Sequence, residues 1–183
     1  RCGYYYYLIT ARSCGRIELL RFGKYVSCDG ERRRIPMVMH LALDQVAAAD
    51  YASRPQFIRV ATENWAASQM YCINCATDNL VRLKNKTPGA DFRCPNCAER
   101  FELKSRATPI ARKIVDGAYA TMMRRIECDE HSNFMLLHYD ATTLTVRNLT
   151  IIPRHFVTAA IIVPRKPLAP TARRAGWRGC NIA

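Results

Sequence analysis

The sequence predicts an α/β (α+β) domain: a mixed β-sheet flanked by helices, with a four-cysteine zinc ribbon inserted in it. Three observations carry this prediction. Helical and strand periodicities follow one another as helix, strands, helix, strands, the order of elements packed around a mixed sheet. Four cysteines are spaced Cys72-x2-Cys75-x18-Cys94-x2-Cys97. The 183 residues, 49% of them hydrophobic, are enough for one ordinary domain and a little more.

Residues 1–40 stand apart from this pattern. Tyr4, Tyr5, Tyr6 and Tyr7, then mixed Gly, Arg and Cys, then Arg32, Arg33 and Arg34 show no sustained period. They read as an atypical basic N-terminal extension, disordered or non-native, with Met37 or Met39 as the alternative start of a domain over residues 41–183. A phosphate-binding arm is the functional alternative for this segment.

From Leu41 the pattern settles. Leu43, Val46, Ala47 and Ala48 predict a helix that ends near residues 51–54, where Pro55 interrupts it. Thr62 reads as the N-cap of a second short helix, with Glu63 against its positive end and Trp65 fastening it to the core. The first cysteine pair follows, then a polar hairpin through residues 85–89 and a strand over 90–93. After the second cysteine pair, residues 101–104 read as the next strand. Thr108 and Pro109 make a break, and Asp116 is placed to cap a helix over 117–128. Val115, Tyr119, Met122 and Ile126 give that helix one buried stripe. Residues 133–138, 144–152 and 156–163 read as strands. Residues 164–183 hold three prolines, two glycines, five Lys/Arg and Trp177, and predict an extended basic loop. There is no internal repeat.

Composition narrows the function classes. The net charge of +13 favours a polyanionic partner. Residues 1–40 hold 8 of the 28 Lys/Arg and 3 of the 15 acids, so the remainder still carries +8. No run approaches the roughly 18 apolar residues of a membrane span. Residues 4–9 are too short for a signal-peptide core, so the expected compartment is the prokaryotic cytoplasm. Nine cysteines do not make a disulfide scaffold here. Cys2, Cys14, Cys28, Cys128 and Cys180 are scattered and the total is odd. Paired Cys-x2-Cys without a secretory segment reads as reduced thiols holding a metal.

The chemistry concentrates in residues 72–104. Two thiolate pairs at this spacing match a tetrahedral zinc ribbon with Cys72, Cys75, Cys94 and Cys97 as ligands. Asp91 stands three residues before Cys94, and Glu102-Leu103-Lys104 follows Cys97. On a strand, Glu102 and Lys104 share one face while Phe101 and Leu103 face the core. With Asp91 on the neighbouring strand, Asp91, Glu102 and the Leu103 carbonyl would make a hard-oxygen site for Mg²⁺. Lys104 beside it would orient an attacking water. Metal-assisted phosphodiester hydrolysis needs this combination. By itself, acid and lysine alternating on a strand is most often a solvated sheet face. A non-enzymatic zinc-ribbon module that binds nucleic acid is therefore the competing reading. His40, His131, His138 and His155 are unclustered and give no support to histidine catalysis. Cys128 and Cys180 read as buried, inert thiols. The basic tail with Trp177 reads either as a phosphate contact or as a wrap that packs Trp177 into the domain.

These residues resemble the catalytic region of the DpnI-type, Dam-replacing restriction endonucleases, of the PD-(D/E)xK superfamily. The likeness continues through Asp116-Gly117-Ala118-Tyr119-Ala120-Thr121-Met122-Met123. It is densest over residues 165–177 and in Gly179-Cys180-Asn181-Ile182. The resemblance implies a PD-(D/E)xK sheet and Mg²⁺-dependent cleavage of double-stranded DNA at GATC sites carrying N6-methyladenine. It implies Asp91, Glu102 and Lys104 as catalytic residues and the four cysteines as structural zinc ligands. No membrane is expected, and no obligate protein partner is inferred. Asp91 follows Gly89-Ala90 where the superfamily motif has Pro. Family members continue into a C-terminal winged-helix domain, absent from this chain, so the expectation is a catalytic domain without its second reading domain.

Overall fold

A computed structural model of the chain describes residues 8–10, 40–85, 87–110 and 112–183. The reading of residues 1–40 thus falls almost wholly outside the described residues; within it, Leu8–Thr10 forms strand β1.

The first helix, α1, runs unbroken over Arg54–Gln69. This corrects the expectation of a helix stopping at Pro55 and a second one capped by Thr62. Pro55 occupies the first turn, where a missing N–H has no intrahelical partner to lose. The apolar residues before it are held in turns instead: the Ala47 N–H donates to Asp44 Oδ1 at 3.0 Å and the Tyr51 N–H to the Ala48 carbonyl at 3.1 Å. Thr62 is buried in mid-helix, where its hydroxyl donates to the Ile58 carbonyl at 2.8 Å, the back-bonding open to a threonine inside a helix. Glu63 is therefore not at a helix start.

The remaining elements are β2 (Val81–Arg82), β3 (Phe92–Arg93), β4 (Arg100–Arg106), β5 (Ile114–Ala118), α2 (Tyr119–Glu127), β6 (Asn133–Asp140), β7 (Thr145–Ile152), β8 (Ile162–Pro164) and β9 (Gly179–Ile182). They build a six-stranded sheet in the order β1-β7-β6-β4-β3-β2 and a three-stranded sheet in the order β5-β9-β8. The large sheet is mixed, because β4 and β6 run parallel and its other pairs are antiparallel. Residues 156–163 do not form the single strand expected. Short 3-10 turns at Arg154–Phe156 and Ala159–Ile161 lead into β8.

Strand β6 is the spine, buried on both faces. Met135 and Leu137 pack with Val60, Trp65, Phe92 and Phe101 under α1. Phe134 and Leu136 point the other way and pack with Met122 of α2, Val157, Ile162, Cys180 and Ile182. Each such side chain contributes about 1.5–3 kcal/mol by burial. Two layers therefore sandwich the sheet, which gives the α/β class predicted. Asp116 does not cap α2. It lies within β5, and α2 begins at Tyr119 behind Ala118.

Between β8 and β9 the basic tail doubles back as a hairpin-like arm. The Arg165 N–H donates to the Gly179 carbonyl at 2.9 Å and the Leu168 N–H to the Trp177 carbonyl at 2.9 Å. Among the described residues, no helix is long and apolar enough to cross a membrane.

Candidate metal centre and acidic site

The cysteine cluster is assembled by two near-identical knuckles, Cys72-Ile-Asn-Cys75-Ala76 and Cys94-Pro-Asn-Cys97-Ala98. In each, the first cysteine's carbonyl accepts the alanine N–H, at 2.9 Å in one and 3.2 Å in the other. Its own N–H donates to the residue after the alanine, Thr77 or Glu99, at 2.9 and 2.8 Å. Both alanines take left-handed backbone angles, φ 57° and 62°, which turn the chain back so that the sulfurs converge. The four Sγ atoms lie within 4.8 Å of one another. Cys72–Cys97 and Cys75–Cys94 are each separated by 3.5 Å. Thiolates about 2.3 Å from a central tetrahedral ion would stand roughly 3.8 Å apart, so the donor set fits zinc. Cys72 and Cys94 are buried and the other two half-buried. The ion would clamp the exit of α1 to the turn between β3 and β4.

The acidic site opens where that turn's strands part. Strands β3 and β4 pair only through Phe92↔Phe101 and Arg93↔Arg100. One residue before this ladder, the Asp91 N–H donates to the Phe101 carbonyl at 2.8 Å, and its carboxylate Oδ2 accepts the Leu103 N–H at 2.8 Å. Asp91 thus caps the backbone of the strand that carries Glu102 and Lys104. Across the parallel pairing, Glu102 and Lys104 stand opposite Phe134 and Leu136, whose side chains belong to the second core layer. Phe101 and Leu103 pack in the α1 layer, as alternation requires. The Lys104 ammonium donates to Glu102 Oε1 at 2.5 Å and to Asp116 Oδ1 at 2.7 Å, and lies 6.0 Å from the centre of the Phe134 ring.

The electrostatics are those of crowded acids around one cation. Burial raises the Asp91 carboxyl above its ordinary range, and the charge of Glu63 adds to the rise. The Leu103 N–H, Lys104 and Arg59 oppose it. Burial likewise raises Glu102; Lys104 opposes, while Asp116 and Asp91 push further up. Burial works against the Lys104 ammonium, but Glu102 and Asp116 outweigh it and raise Lys104 above its ordinary value. A divalent cation beside Asp91 and Glu102 would relieve this repulsion. The four cysteines are, among the described residues, the one group of three or more Cys, His, Asp or Glu whose ligand atoms converge on a common point. Asp91 and Glu102 belong to no such group of three.

Two acids were misplaced by sequence reasoning. Glu63 projects from mid-α1, nearly buried, with Arg59 Nη1 at 3.1 Å and Arg82 Nη2 at 2.5 Å, and its charge reaches Asp91. Asp116 joins Lys104 from the second sheet. The one available cue for Asp116 was a charge inside the apolar run Ile114-Val115-Asp116, which the Asp-Gly helix-start signal obscured.

Cys180 is a buried free thiol, pushed up to about 11 by burial and by the charge of Asp116. Cys128 is exposed, against the expectation of a buried thiol, because it sits at the C-cap of α2. His131 is buried with its Nε2 2.8 Å from the Arg154 carbonyl, a structural position. On the arm, Trp177 lies against Gly179 of β9 and carries the Arg174 guanidinium 4.7 Å over its ring. Arg165, Lys166, Arg173, Arg174 and Arg178 are exposed. Trp177 thus fastens the arm, as the wrapping alternative expects, and the cations face outward.

A family model, DpnI: Dam-replacing family, matches residues 39–183, well over half of the chain.

Proposed function

This chain belongs to the DpnI, Dam-replacing family, and on that premise we propose that it is a Mg²⁺-dependent, type II-like endonuclease domain of the PD-(D/E)xK kind that cleaves adenine-methylated GATC sites in double-stranded DNA. The observation that carries the reading is the juxtaposition on β4: Lys104 bound to Glu102, with the Asp91 carboxylate on the backbone between them.

In this reading Asp91, Glu102 and the Leu103 carbonyl would hold Mg²⁺. The ion would supply stabilisation of the charge that develops on the phosphate and lower the pKa of water beside it. Lys104 orients the attacking water by hydrogen bonding and keeps positive charge beside the phosphate. In-line attack leaves 5′-phosphate and 3′-hydroxyl ends. Zinc at Cys72, Cys75, Cys94 and Cys97 is structural. The exposed cations of the arm give phosphate contacts that are salt-dependent and blind to sequence. The arm springs from the strands beside Asp116, because Pro164 and Asp116 both pair with Cys180. The methyl group requires an apolar pocket in the major groove.

The test is incubation of zinc-loaded protein and Mg²⁺ with methylated and unmethylated plasmid, alongside Glu102→Ala. Linearisation of the methylated plasmid alone, abolished in the variant, is expected. Binding without nicking in every lane sinks the nuclease reading and leaves a zinc-ribbon nucleic-acid-binding module.

A further inference from the structure

We infer that Asp116 is a positioning residue for Lys104, a buried carboxylate on the second sheet that holds the ammonium in place when Glu102 turns to a metal ion. The inference rests on the nuclease reading for its consequence and on geometry for its substance.

Asp116 is unlike the other acids of the site. Its side chain is 4% exposed, against 15% for Glu102 and 29% for Lys104. Oδ1 accepts both the Lys104 ammonium and the Gly117 N–H, each at 2.7 Å. Oδ2 is buried with no hydrogen-bond partner. A buried carboxylate oxygen without a partner is costly, and native structures keep one mainly where a role requires it. Nothing in the packing of β5 needs an acid there. Its neighbours on that layer, Met122, Ile162, Cys180 and Ile182, are apolar.

The backbone accounts for the aim of the side chain. β5 and β9 pair Asp116↔Cys180 and Ala118↔Gly179, with a bulge at Gly117 between them. A bulge kinks one strand and re-aims a side chain, and bulges gather beside active sites for that reason. Here the kink delivers Asp116 across the gap between the two sheets to Lys104. Lys104 is thus gripped from two sides, by Glu102 on its own strand and by Asp116 from the other sheet.

The two grips differ in what a metal does to them. A carboxylate that ligates a divalent ion has less charge to offer a neighbouring ammonium. Asp116 is tied to the Gly117 N–H and does not share that fate. It remains the fixed anionic partner of Lys104 in the loaded site. Loss of its charge would let the flexible lysine chain leave the water it orients, and misplacement of such a group costs rate far more than binding.

The test uses the full chain, zinc-loaded, with Asp116→Asn. Asparagine keeps Oδ1 and the shape of the side chain, removes the charge and puts an NH₂ group where Oδ2 stood. Single-turnover cleavage with Mg²⁺ is expected to slow roughly 10- to 100-fold, with DNA affinity in Ca²⁺ within about threefold of wild type. Asp116→Glu, which restores the charge, is expected to recover part of the rate even where Asp116→Asn lowers the melting temperature. The independent readout is the Lys104 ¹⁵Nζ resonance, assigned by its loss in Lys104→Arg; Asp116→Asn is expected to shift it or broaden it by faster exchange. Cleavage within about twofold of wild type, an unmoved Nζ resonance, or equal loss in Asp116→Asn and Asp116→Glu overturns the inference. A chain that cuts nothing while Asp116→Asn still moves the Nζ resonance overturns the nuclease reading and upholds the contact.

Discussion

Replacing Cys94 with serine should unfasten the site rather than merely weaken it. Cys94 is fully buried and its sulfur lies 3.5 Å from that of Cys75. A four-thiolate zinc site in a small peptide contributes on the order of 10–16 kcal/mol, comparable with the whole stability of an ordinary domain, about 5–15 kcal/mol. Not all of this is lost, because most of the core under α1, β6 and β7 is built from side chains other than the cysteines, among them Val60, Trp65, Met135, Leu137 and Leu149. What depends on the knuckles is the segment from Cys72 to Ala98, which buries Leu80 and Phe92. Losing those two side chains from the core costs about 3–6 kcal/mol. For a domain of this size that lowers the melting temperature by roughly 6–24 °C. Metal stoichiometry, thermal melting and amide hydrogen exchange read the outcome. Residues 72–98 should exchange freely in Cys94→Ser while β6 and β7 stay protected, and cleavage should vanish with the fold around Asp91. A Cys94→Ser protein that melts with wild type and protects residues 72–98 equally would refute a structural zinc site.

Two further outcomes follow from charge. Asp91 and Glu102 are raised above their ordinary values of 3.8 and 4.5, so the folded chain keeps protons that the unfolded chain has lost. Their contribution to stability is present below those values and falls as pH rises through the folded ones; Lys104, also raised, keeps its contribution until well above neutrality. Mg²⁺ at ten times its dissociation constant should therefore add about 1.4 kcal/mol at pH 8, roughly 3–6 °C in melting temperature, and far less at pH 4; an increment unchanged by pH, or retained in Glu102→Ala, argues against the carboxylate site. On the arm, converting the exposed Arg165, Lys166 and Arg173 to glutamine should flatten the dependence of log K on log salt by up to about 2.7 in Ca²⁺ binding assays; an unchanged slope would mean that the arm makes no phosphate contact.

What the sequence made legible was what has a local period or a local spacing. The cysteine pairs needed only their x2 gaps, and the alternation of Phe101, Glu102, Leu103 and Lys104 needed only the pleat of one strand. The errors came where a local signal has two meanings. Pro55 ends a helix or begins one, and only the packing of the residues after it decides which. Thr62 has the chemistry of a cap and also that of a back-bonded interior residue, and burial against the sheet selected the second. Asp116 before Gly117 has the form of a helix start. Its true partner, Lys104, is set by a contact between two sheets that no window of sequence contains. Glu63 had the look of a helix-start acid, which needs no place near a metal, until one long helix replaced two short ones.

The sharing of residues 72–104 by a zinc knuckle and an acidic site has a mechanical reason. β2 and β3 are two residues each, and ladders that short have no independent stability. Yet Asp91 must keep its register against Leu103, since a slip of one residue would turn every side chain of the strand to the opposite face. The hairpin has little apolar surface with which to enforce that register: Val81 is exposed, and Phe92 alone of the four strand residues is buried. Two knuckles joined through one ion would do so, because Cys72 follows α1 and Cys94 follows β3 directly, and both are buried in the α1 core layer. An ion bound there would substitute for the missing length of sheet. A longer hairpin would fasten the register by itself but would extend the ladder across the Leu103 N–H that Asp91 now occupies. The short strands leave the fork open for the carboxylate, and the cysteines hold the fork.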